Sequence, residues 1–481
     1  MAGYNHGVRV IEEETALVAP VEGTAGLQVI FGTAPVNLVA NPKAAVNKPI
    51  ICYSYSEFVE NFGYSNDFKK YTLCQSADAC FRVFAVAPVI FVNVLDPEVH
   101  KKENISKQYT VVNNQATVNV EGILLDSLKV MSGENELAVD TDYVASFDSD
   151  GHVIVTLLES GAGNGMSAIN VTCNSIDASL VTKNDVIGGY DTETGAETGI
   201  ETVRQIYPRF GLTPGLLLAP GWSKDAEVAA VLASKCENLN GVFRCECLLD
   251  IDTTKAKKYT DCKQVKEDSG FAGIHSVALW PCLKLGEKIY AYSAVYGALV
   301  AYTDAANDDV PNLSPSNKLL NMTGTVLEDG TEVILDQVQA NMLNGQGIVT
   351  AINDNGWKAW GNNTAAYPGT TDPKDRWICC RRFFSWWANS FILTYKQKVD
   401  DPANRKLIEA VVDSENIRGN SYVSQGKCAG ARMEFRADDN PVTGLLNGQL
   451  VFRQHLAAYT PAEDMANILA FDPDMLQEAL S

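Results

Sequence analysis

The chain has 481 residues, of which 46% are apolar and 20% are charged. These proportions are typical of soluble globular proteins, and the length predicts two to four domains, because single cores usually span roughly 100 to 200 residues. The 59 acidic and 38 basic side chains give a net charge of −21 at pH 7. A protein that follows a phosphate backbone needs the opposite sign, so direct nucleic-acid binding is not expected.

Membrane insertion is not expected either. The longest apolar run, residues 81–95, is interrupted by Arg82, Pro88 and Asn93 and is shorter than the ~20 residues of a transmembrane helix. The start, MAGYNHGVRVIEEE, has neither the basic nor the apolar region of a secretory signal, which predicts folding in the cytosol. The twelve cysteines are accordingly interpreted as reduced, mostly buried thiols.

The first two predicted elements are strands. Residues 6–12 alternate in hydropathy, with Val8 and Val10 on one side. Residues 26–31 are apolar and end at the turn sequence of residues 32–35, which predicts a buried strand. The compact part of the fold is expected to begin at this second strand.

Residues 101–190 differ in texture from the segments around them. Aromatic residues become rare, and short stretches rich in Val, Thr and Ser are separated by turn residues. The runs YVASF and HVIVTLL on either side of residues 148–151 predict a β-hairpin. We interpret this region as a small all-β insertion.

The chain after the linker at residues 191–199 reads as strand, helix and strand. The two strands are GLLLAPG and GVFRCECLLDI, and the helix between them covers residues 223–239. Ser223 is placed to cap this helix, and Asp225 lies in its first turn. A βαβ unit predicts a mainly parallel sheet.

The last part of the chain predicts both helices and strands. The segment RFFSWWANSFILTY has helical character, and residues 404–412 form a charged probable helix. The sequences QLVFRQHLAAY and MANILAF then alternate as strands do, and Pro461 separates them.

Two glycine-containing motifs are better explained as turns. In GAGNG at residues 161–165, the third glycine of a dinucleotide fingerprint would stand at 166, where the residue is Met166. Asp148 and Asp150 resemble half of a calcium loop, but that loop would require a bidentate glutamate at the position of Leu157. Neither motif predicts a ligand site.

No catalytic, metal or cofactor residues are predicted. Cys245 and Cys247, like Cys379 and Cys380, lack the spacing and histidine partners of a zinc site. No GxSxG nucleophile elbow is present. The strand ends at residues 220–223 could hold a ligand, which leaves an oligomeric α/β enzyme as an alternative.

Arginines stand beside tryptophans in and just before the predicted long helix, as they would on a nucleic-acid surface. In so acidic a chain, a packed helix at a domain or subunit interface explains them better. The residues concerned are Arg376, Arg381, Arg382, Trp377, Trp386 and Trp387.

Several segments, taken in their order along the chain, resemble the tail sheath family of contractile phages, R-type bacteriocins and related injection systems. They are HGVRVIE, IFGTAP, LLLAPGWSKDAEVAAVL, LNGQGIVTAI with KAWGNNT, RWICCRRFFSWWANSF and GQLVFRQHLAAYTPAEDMANILAF. The resemblance covers nearly the whole chain except the β insertion.

This resemblance implies a multidomain α/β and α+β fold with extended arms at both ends. The expected parts are an N-terminal arm (1–22), a βαβ-containing sheath core (23–102 plus 191–360), an inserted β domain (103–190), a C-terminal α+β domain (361–460) and a C-terminal arm (461–481).

The resemblance also implies a structural, non-enzymatic role. Subunits of this family polymerise helically around an inner tail tube and contract to drive the tube through the target envelope, as in phage genome ejection. The implied partners are other copies of the chain, the tube protein, and baseplate and tail terminator proteins. The implied location is a virion tail or extracellular contractile particle, assembled in the bacterial cytoplasm.

Expected inter-subunit contacts lie in the two arms, and a tube contact is expected in the C-terminal domain. The arm residues are Val8, Val10, Ile11, Met465, Ile468 and Phe471, and the tube residues are Arg405 and Lys406. Another virion shell protein remains an alternative beside the α/β enzyme.

Overall fold

The computed structural model describes residues 23–148 and 151–481. The predicted strand at residues 6–12, with Val8, Val10 and Ile11, lies outside the described residues.

The elements are numbered in chain order. The strands of the first half are β1 (Gln28–Gly32), β2 (Ile50–Cys52), β3 (Val89–Asn93), β4 (Lys101–Thr110), β5 (Gln115–Val118), β6 (Lys129–Ser132), β7 (Asn135–Glu136), β8 (Tyr143–Phe147), β9 (Val153–Leu157), β10 (Ala168–Ile176), β11 (Gly189–Tyr190) and β12 (Glu197–Thr198). The strands of the second half are β13 (Leu216–Leu218), β14 (Glu246–Asp250), β15 (Ser276–Leu279), β16 (Cys282–Leu285), β17 (Lys288–Tyr290), β18 (Gly324–Val326), β19 (Ile348–Asn353), β20 (Trp357–Trp360), β21 (Gly430–Glu434) and β22 (Arg453–Ala457).

The helices follow the same order. They are α1 (Tyr55–Phe62), α2 (Thr72–Ala77), α3 (Lys183–Ile187), α4 (Ile206–Phe210), α5 (Ala226–Cys236), α6 (Cys262–Asp268), α7 (Tyr292–Ala305), α8 (Gln337–Asn344), α9 (Pro373–Arg376), α10 (Ile378–Tyr395), α11 (Arg405–Ser424), α12 (Val442–Leu446) and α13 (Pro473–Leu480).

A sheet of eight strands forms the centre of the molecule, in the order β2-β3-β1-β13-β14-β15-β19-β20. The six inner strands run parallel, and β2 and β20 pair antiparallel at the two edges. Every residue of β1, β3, β13, β14 and β15 is buried. Strands that are covered on both faces read as continuous apolar runs, which is why β1, β13 and β14 were predicted from apolar runs without alternation.

The predicted βαβ unit is present as β13, α5 and β14, and the two strands are parallel as expected. The helix begins later than predicted, because Asp225 and not Ser223 caps it. The Asp225 carboxylate accepts hydrogen bonds from the backbone N–H groups of Glu227 (2.9 Å) and Val228 (3.4 Å). Ser223 instead donates its hydroxyl hydrogen to Asp250 (2.9 Å).

The region between β3 and α3 forms two antiparallel sheets, ordered β4-β10-β6-β7 and β5-β9-β8. The predicted hairpin is present as β8 and β9, in which Phe147 lies opposite Val153. Val118, Val130, Val153 and Val155 are fully buried in a hydrophobic cluster separate from that of the central sheet. Apart from one 3-10 turn at Leu125–Ser127, the described part of residues 101–176 consists of strands and loops.

Residues 177–188 do not continue these sheets, although the sequence assigned them to the β insertion. They form a 3-10 turn and helix α3, and Val186 is buried in the cluster of the central sheet. The Lys183 ammonium lies 2.6 Å from the Glu227 carboxylate on α5. This helix accordingly packs against the central part of the chain.

The long helix predicted from RFFSWWANSFILTY is α10, and it joins the central sheet to the last part of the chain. On one side, Ser385 donates a hydrogen bond to Glu246 of β14 (2.7 Å). On the other side, Phe383, Trp386 and Trp387 pack with Cys428 near β21. The prediction of a packed interface helix is confirmed within the chain, and the overall fold is mixed α/β with several sheets.

Candidate assembly interface

Strands β21 and β22 form a two-stranded antiparallel sheet near the end of the chain. In its register, Ala431 lies opposite Leu456 and Met433 opposite Gln454. Ala431 and Met433 are buried, whereas Arg453, His455 and Ala457 on the other face are exposed. Isolated two-stranded sheets are marginally stable, so this one depends on what covers its inner face.

Helix α11 covers β21. Gly419 allows the close approach, because a Cβ atom at this position would lie 2.7 Å from the carbonyl oxygen of Ala431. The Asn416 side chain donates to the carbonyl of Met433 (3.0 Å) and accepts from its N–H (2.8 Å). The backbone N–H and C=O groups of Met433, which point away from β22, therefore already have hydrogen-bond partners on the helix.

Strand β22 has an open edge. Within residues 23–148 and 151–481, β21 is its only sheet partner. Antiparallel pairing directs the N–H and C=O groups of alternate residues to opposite sides, so one set of β22 groups faces outward. An exposed edge of this kind is a template for a strand from another chain.

The segment after β22, residues 458–481, extends away from the body of the protein, and we call it the tail. All residues from 462 to 481 are exposed, and Met465, Ile468 and Phe471 expose 85%, 91% and 80% of their surface. Residues 465–471, predicted as a strand, form no strand in this chain. A strand requires hydrogen bonds to a neighbour, and none of the described segments supplies them.

The apolar residues of this segment fall on two faces when it is extended. Side chains alternate along a strand, so Met465 and Phe471 share a face with Leu469, whereas Ile468 points to the opposite face. Leu469 is 88% exposed and was missed in the sequence analysis. The period-two spacing from Met465 through Leu469 to Phe471 is the signal that would have found it.

The base of the tail is attached to the body by two contacts. The Arg376 guanidinium donates to the Glu463 carboxylate (2.9 Å) and to the Asn363 side chain (2.9 Å). The Cys380 thiol lies 3.6 Å from the carbonyl oxygen of Tyr459. The tail is therefore held at residues 459–463 and exposed beyond them.

The predicted tube residues lie at the start of α11. Arg405 exposes 90% of its side chain and contacts Glu409 at 2.6 Å, and Lys406 is also exposed. Positive side chains are unfavourable at a helix N-terminus, where the backbone already carries partial positive charge. Helix stability alone therefore does not explain this pair.

The strand ends at residues 220–223, where the sequence left a ligand site open, are filled by the chain's own side chains. Ser223 and Ser293 are fully buried, and both hydroxyl groups donate to the Asp250 carboxylate. Burial raises the pKa of Asp250, and the two serines partly offset that effect. This network connects β14 to α7 and leaves these polar groups satisfied.

The other candidate groups are also internal. Arg382 and Arg381 are almost fully buried, and they pair with Asp304 and Asp375 inside the chain. All twelve cysteines are free thiols, and all but Cys282 are buried. The described part of the chain has no group of three or more metal-ligating side chains arranged around a common point, and no helix in it could cross a bilayer.

The chain is similar in sequence to tail sheath proteins along nearly its whole length. It is 27% identical over 478 residues to the tail sheath protein of Burkholderia phage BcepMu, covering 96% of this chain and 95% of that protein. It is also 24% identical over 296 residues to the tail sheath protein of Escherichia phage P2, covering 60% of this chain and 69% of that protein. No protein family model matches the chain.

The fold is similar to solved sheath structures. The sheath of the extracellular contractile injection system PVC, in its contracted state, has a TM-score of 0.59 at 15% identity, covering 99% of both chains. The contracted sheath of the anti-feeding prophage gives 0.57 at 13% identity, covering 97% of this chain and 99% of that one. In both sequence and fold, the chain is therefore similar to contractile tail sheath proteins, the family that its sequence patterns resemble.

Proposed function

We propose that this protein is the repeating subunit of a contractile sheath, which polymerises helically through its two arms. The observation that carries the proposal is the combination of an exposed tail and an open β22 edge in one chain. An extended tail that joins the edge of another chain gains main-chain hydrogen bonds, and its alternate side chains fill pockets.

The proposed parts follow the sequence boundaries, except that residues 177–190 belong with the core, against which α3 packs. Residues 1–22 and 461–481 act as arms, residues 23–102 with 177–360 form the core, 103–176 form the inserted domain, and 361–460 form the C-terminal α+β domain. The arm contacts are Val8, Val10 and Ile11 at one end and Met465, Ile468, Leu469 and Phe471 at the other.

Contacts from tail to edge are heterologous, because the two surfaces differ. Such contacts form rings when the rotation between neighbours closes and open helical assemblies when it does not, and the proposal requires the second case. Contraction is then a rigid-body rearrangement of subunits between two packings, during which the arms keep neighbours connected. Rearrangement of this kind needs no nucleotide, and the role is structural rather than enzymatic.

The proposed partners are further copies of the chain, a tail tube inside the sheath, and baseplate and terminator proteins at its ends. A similar chain occurs in the baseplate structure of the anti-feeding prophage, with a TM-score of 0.57 at 13% identity. The proposed location is a virion tail or an extracellular contractile particle that assembles in the bacterial cytoplasm.

Negative-stain electron microscopy of the purified full-length protein tests this function. We expect hollow, striated cylinders. Small closed oligomers with a ligand-dependent increase in thermal stability would instead support the α/β enzyme, and closed shells or flat sheets would support another virion component.

The tube contact makes a separate prediction. Reversing the charges of Arg405 and Lys406 to glutamate should weaken binding of the tube while sheaths still form, because both side chains are exposed and neither contributes to a core. Co-sedimentation of sheaths with purified tubes at low and high salt measures the effect. Lys318→Glu is the matched control, since Lys318 is exposed on the central part of the chain. Tube binding that is unchanged in the double variant would refute the contact.

A further inference from the structure

Helix α13 is an amphipathic helix with no cover in the described chain. Asp472 caps it by accepting the N–H of Asp474 (3.0 Å), and Pro473 occupies its first turn. Met475, Leu476 and Leu480 share one face and expose 69%, 51% and 79% of their surface. Helices of eight residues are marginal in water, so this one requires a surface to pack against.

A matching apolar surface lies on the loop between β21 and β22. We call it the α12 patch, and it consists of Val442, Leu445, Leu446 and Val451, which are 71%, 39%, 81% and 47% exposed. Exposed apolar groups that cluster on one loop mark an interaction site more often than single ones do.

The α12 patch is a preformed platform. The buried Asn440 side chain accepts the N–H of Val451 (2.8 Å) and donates to its carbonyl (2.8 Å) and to that of Arg436 (2.9 Å). Arg453 adds two hydrogen bonds to Asp439, at 2.9 and 2.6 Å. These contacts close the base of the loop, so little order has to be gained when a partner binds.

The position of α13 on the neighbouring subunit depends on whether the tail adds parallel or antiparallel to β22. Glu434 pairs with Arg453, so the loop lies at the end of the sheet where β22 begins. A tail that adds antiparallel to β22 therefore ends beside this loop, and α13 starts only two residues after Phe471. A parallel tail would place α13 at the opposite end, near Tyr459.

We propose that α13 of one subunit packs its Met475, Leu476 and Leu480 face on the α12 patch of the neighbouring subunit that receives its tail. This inference rests on the proposed function and adds the direction of the tail and a second contact. The occupant is another copy of this chain, because the α13 contact continues the tail-to-edge interface and every residue of α13 is exposed in its own described chain.

Disulfide cross-linking in assembled sheaths tests the contact. Chains with both Leu446→Cys and Leu476→Cys should give a ladder of covalent multimers on non-reducing gels, because only close Cβ atoms can form the bond. Sheaths co-assembled from chains that carry one substitution each should give dimers only. Native cysteines interfere little, since nearly all are buried.

The controls separate the alternatives. Leu446→Cys with Gln477→Cys, on the polar face of α13, should cross-link at least about tenfold more slowly. A ladder from Tyr459→Cys with Leu476→Cys, but not from the 446/476 pair, would indicate parallel addition and overturn the proposal. Covalent closure within single chains would mean that the tail folds back on its own sheet, which also overturns it.

Assembly strength gives an independent measurement. Leu476→Asp with Leu480→Asp should raise the protein concentration required for sheath formation by about 100-fold, whereas Gln477→Asp should leave it nearly unchanged. Equal effects of both changes would contradict the contact. Failure of the unsubstituted chain to form sheaths would refute the proposed function itself, whereas sheaths that form without the cross-link refute only this inference.

Discussion

Removal of residues 462–481 should abolish sheath formation and leave a folded monomer. Every residue in this segment is exposed, so its loss removes no core packing and should barely change the free energy of unfolding. It does remove the strand that we expect to pair with the open edge of β22 in a neighbour. Electron microscopy and sedimentation measure assembly, and thermal unfolding measures the fold.

Point substitutions test whether the apolar side chains of the tail, and not only its length, are required for assembly. Replacing Met465, Leu469 and Phe471 by aspartate should also prevent assembly, because these side chains share one face of the extended tail. Asn467→Asp on the same face is the matched control and should assemble. Long sheaths from the truncated chain would show that the tail does not connect subunits. Deletion of residues 1–14 tests the N-terminal arm in the same way.

Asp304→Asn should lower the free energy of unfolding by about 3 to 5 kcal/mol, because it leaves a buried guanidinium without its counter-ion. Arg382 and Asp304 expose only 1% and 2% of their side chains. Arg382 donates to Asp304 Oδ1 at 3.0 Å and also contacts Oδ2, and it donates to the carbonyl of Ala25 at 3.2 Å. The pair joins α10 to α7.

Chemical denaturation measures this loss. Burial raises the pKa of Asp304 and Arg382 opposes that effect, so the carboxylate depends on its partner for its charge. Glu409→Gln is a suitable control, because it breaks an exposed pair with Arg405 and should hardly change stability. The double variant Asp304→Leu with Arg382→Met should be more stable than Asp304→Asn. A double variant less stable than the single one would mean that packing, not charge, governs this site.

Much of the fold follows from local sequence patterns. The apolar runs of β1, β13 and β14 and the hairpin of β8 and β9 were predictable, because burial on two faces or on one leaves distinct periodicities. The cap of α5 was misplaced, since Ser223 and Asp225 are both good caps and only the tertiary bond to Asp250 removes Ser223.

Other features depend on contacts that no local pattern contains. The helix predicted at residues 404–412 is longer in the structure, where α11 extends to Ser424. Gly419 has a low helix propensity, but it lets the helix lie close to Ala431, and this tertiary contact offsets the local preference. The tail was predicted from alternation, but its strand requires a partner that a single chain lacks. Helix α13 was not predicted, although Asp472 and Pro473 are a typical helix start.

The hydrogen bonds from Asn416 to Met433 limit the number of strands that can join the two-stranded sheet. A two-stranded sheet with two free edges could recruit strands from both sides and grow without limit, as aggregating sheets do. Because Asn416 of α11 occupies the outer edge of β21, the described sheet offers one open edge for the one C-terminal tail that each copy donates. In a lattice of identical subunits, the number of such edges then equals the number of C-terminal tails, so this pairing supports growth along the helix and not unlimited growth of the sheet.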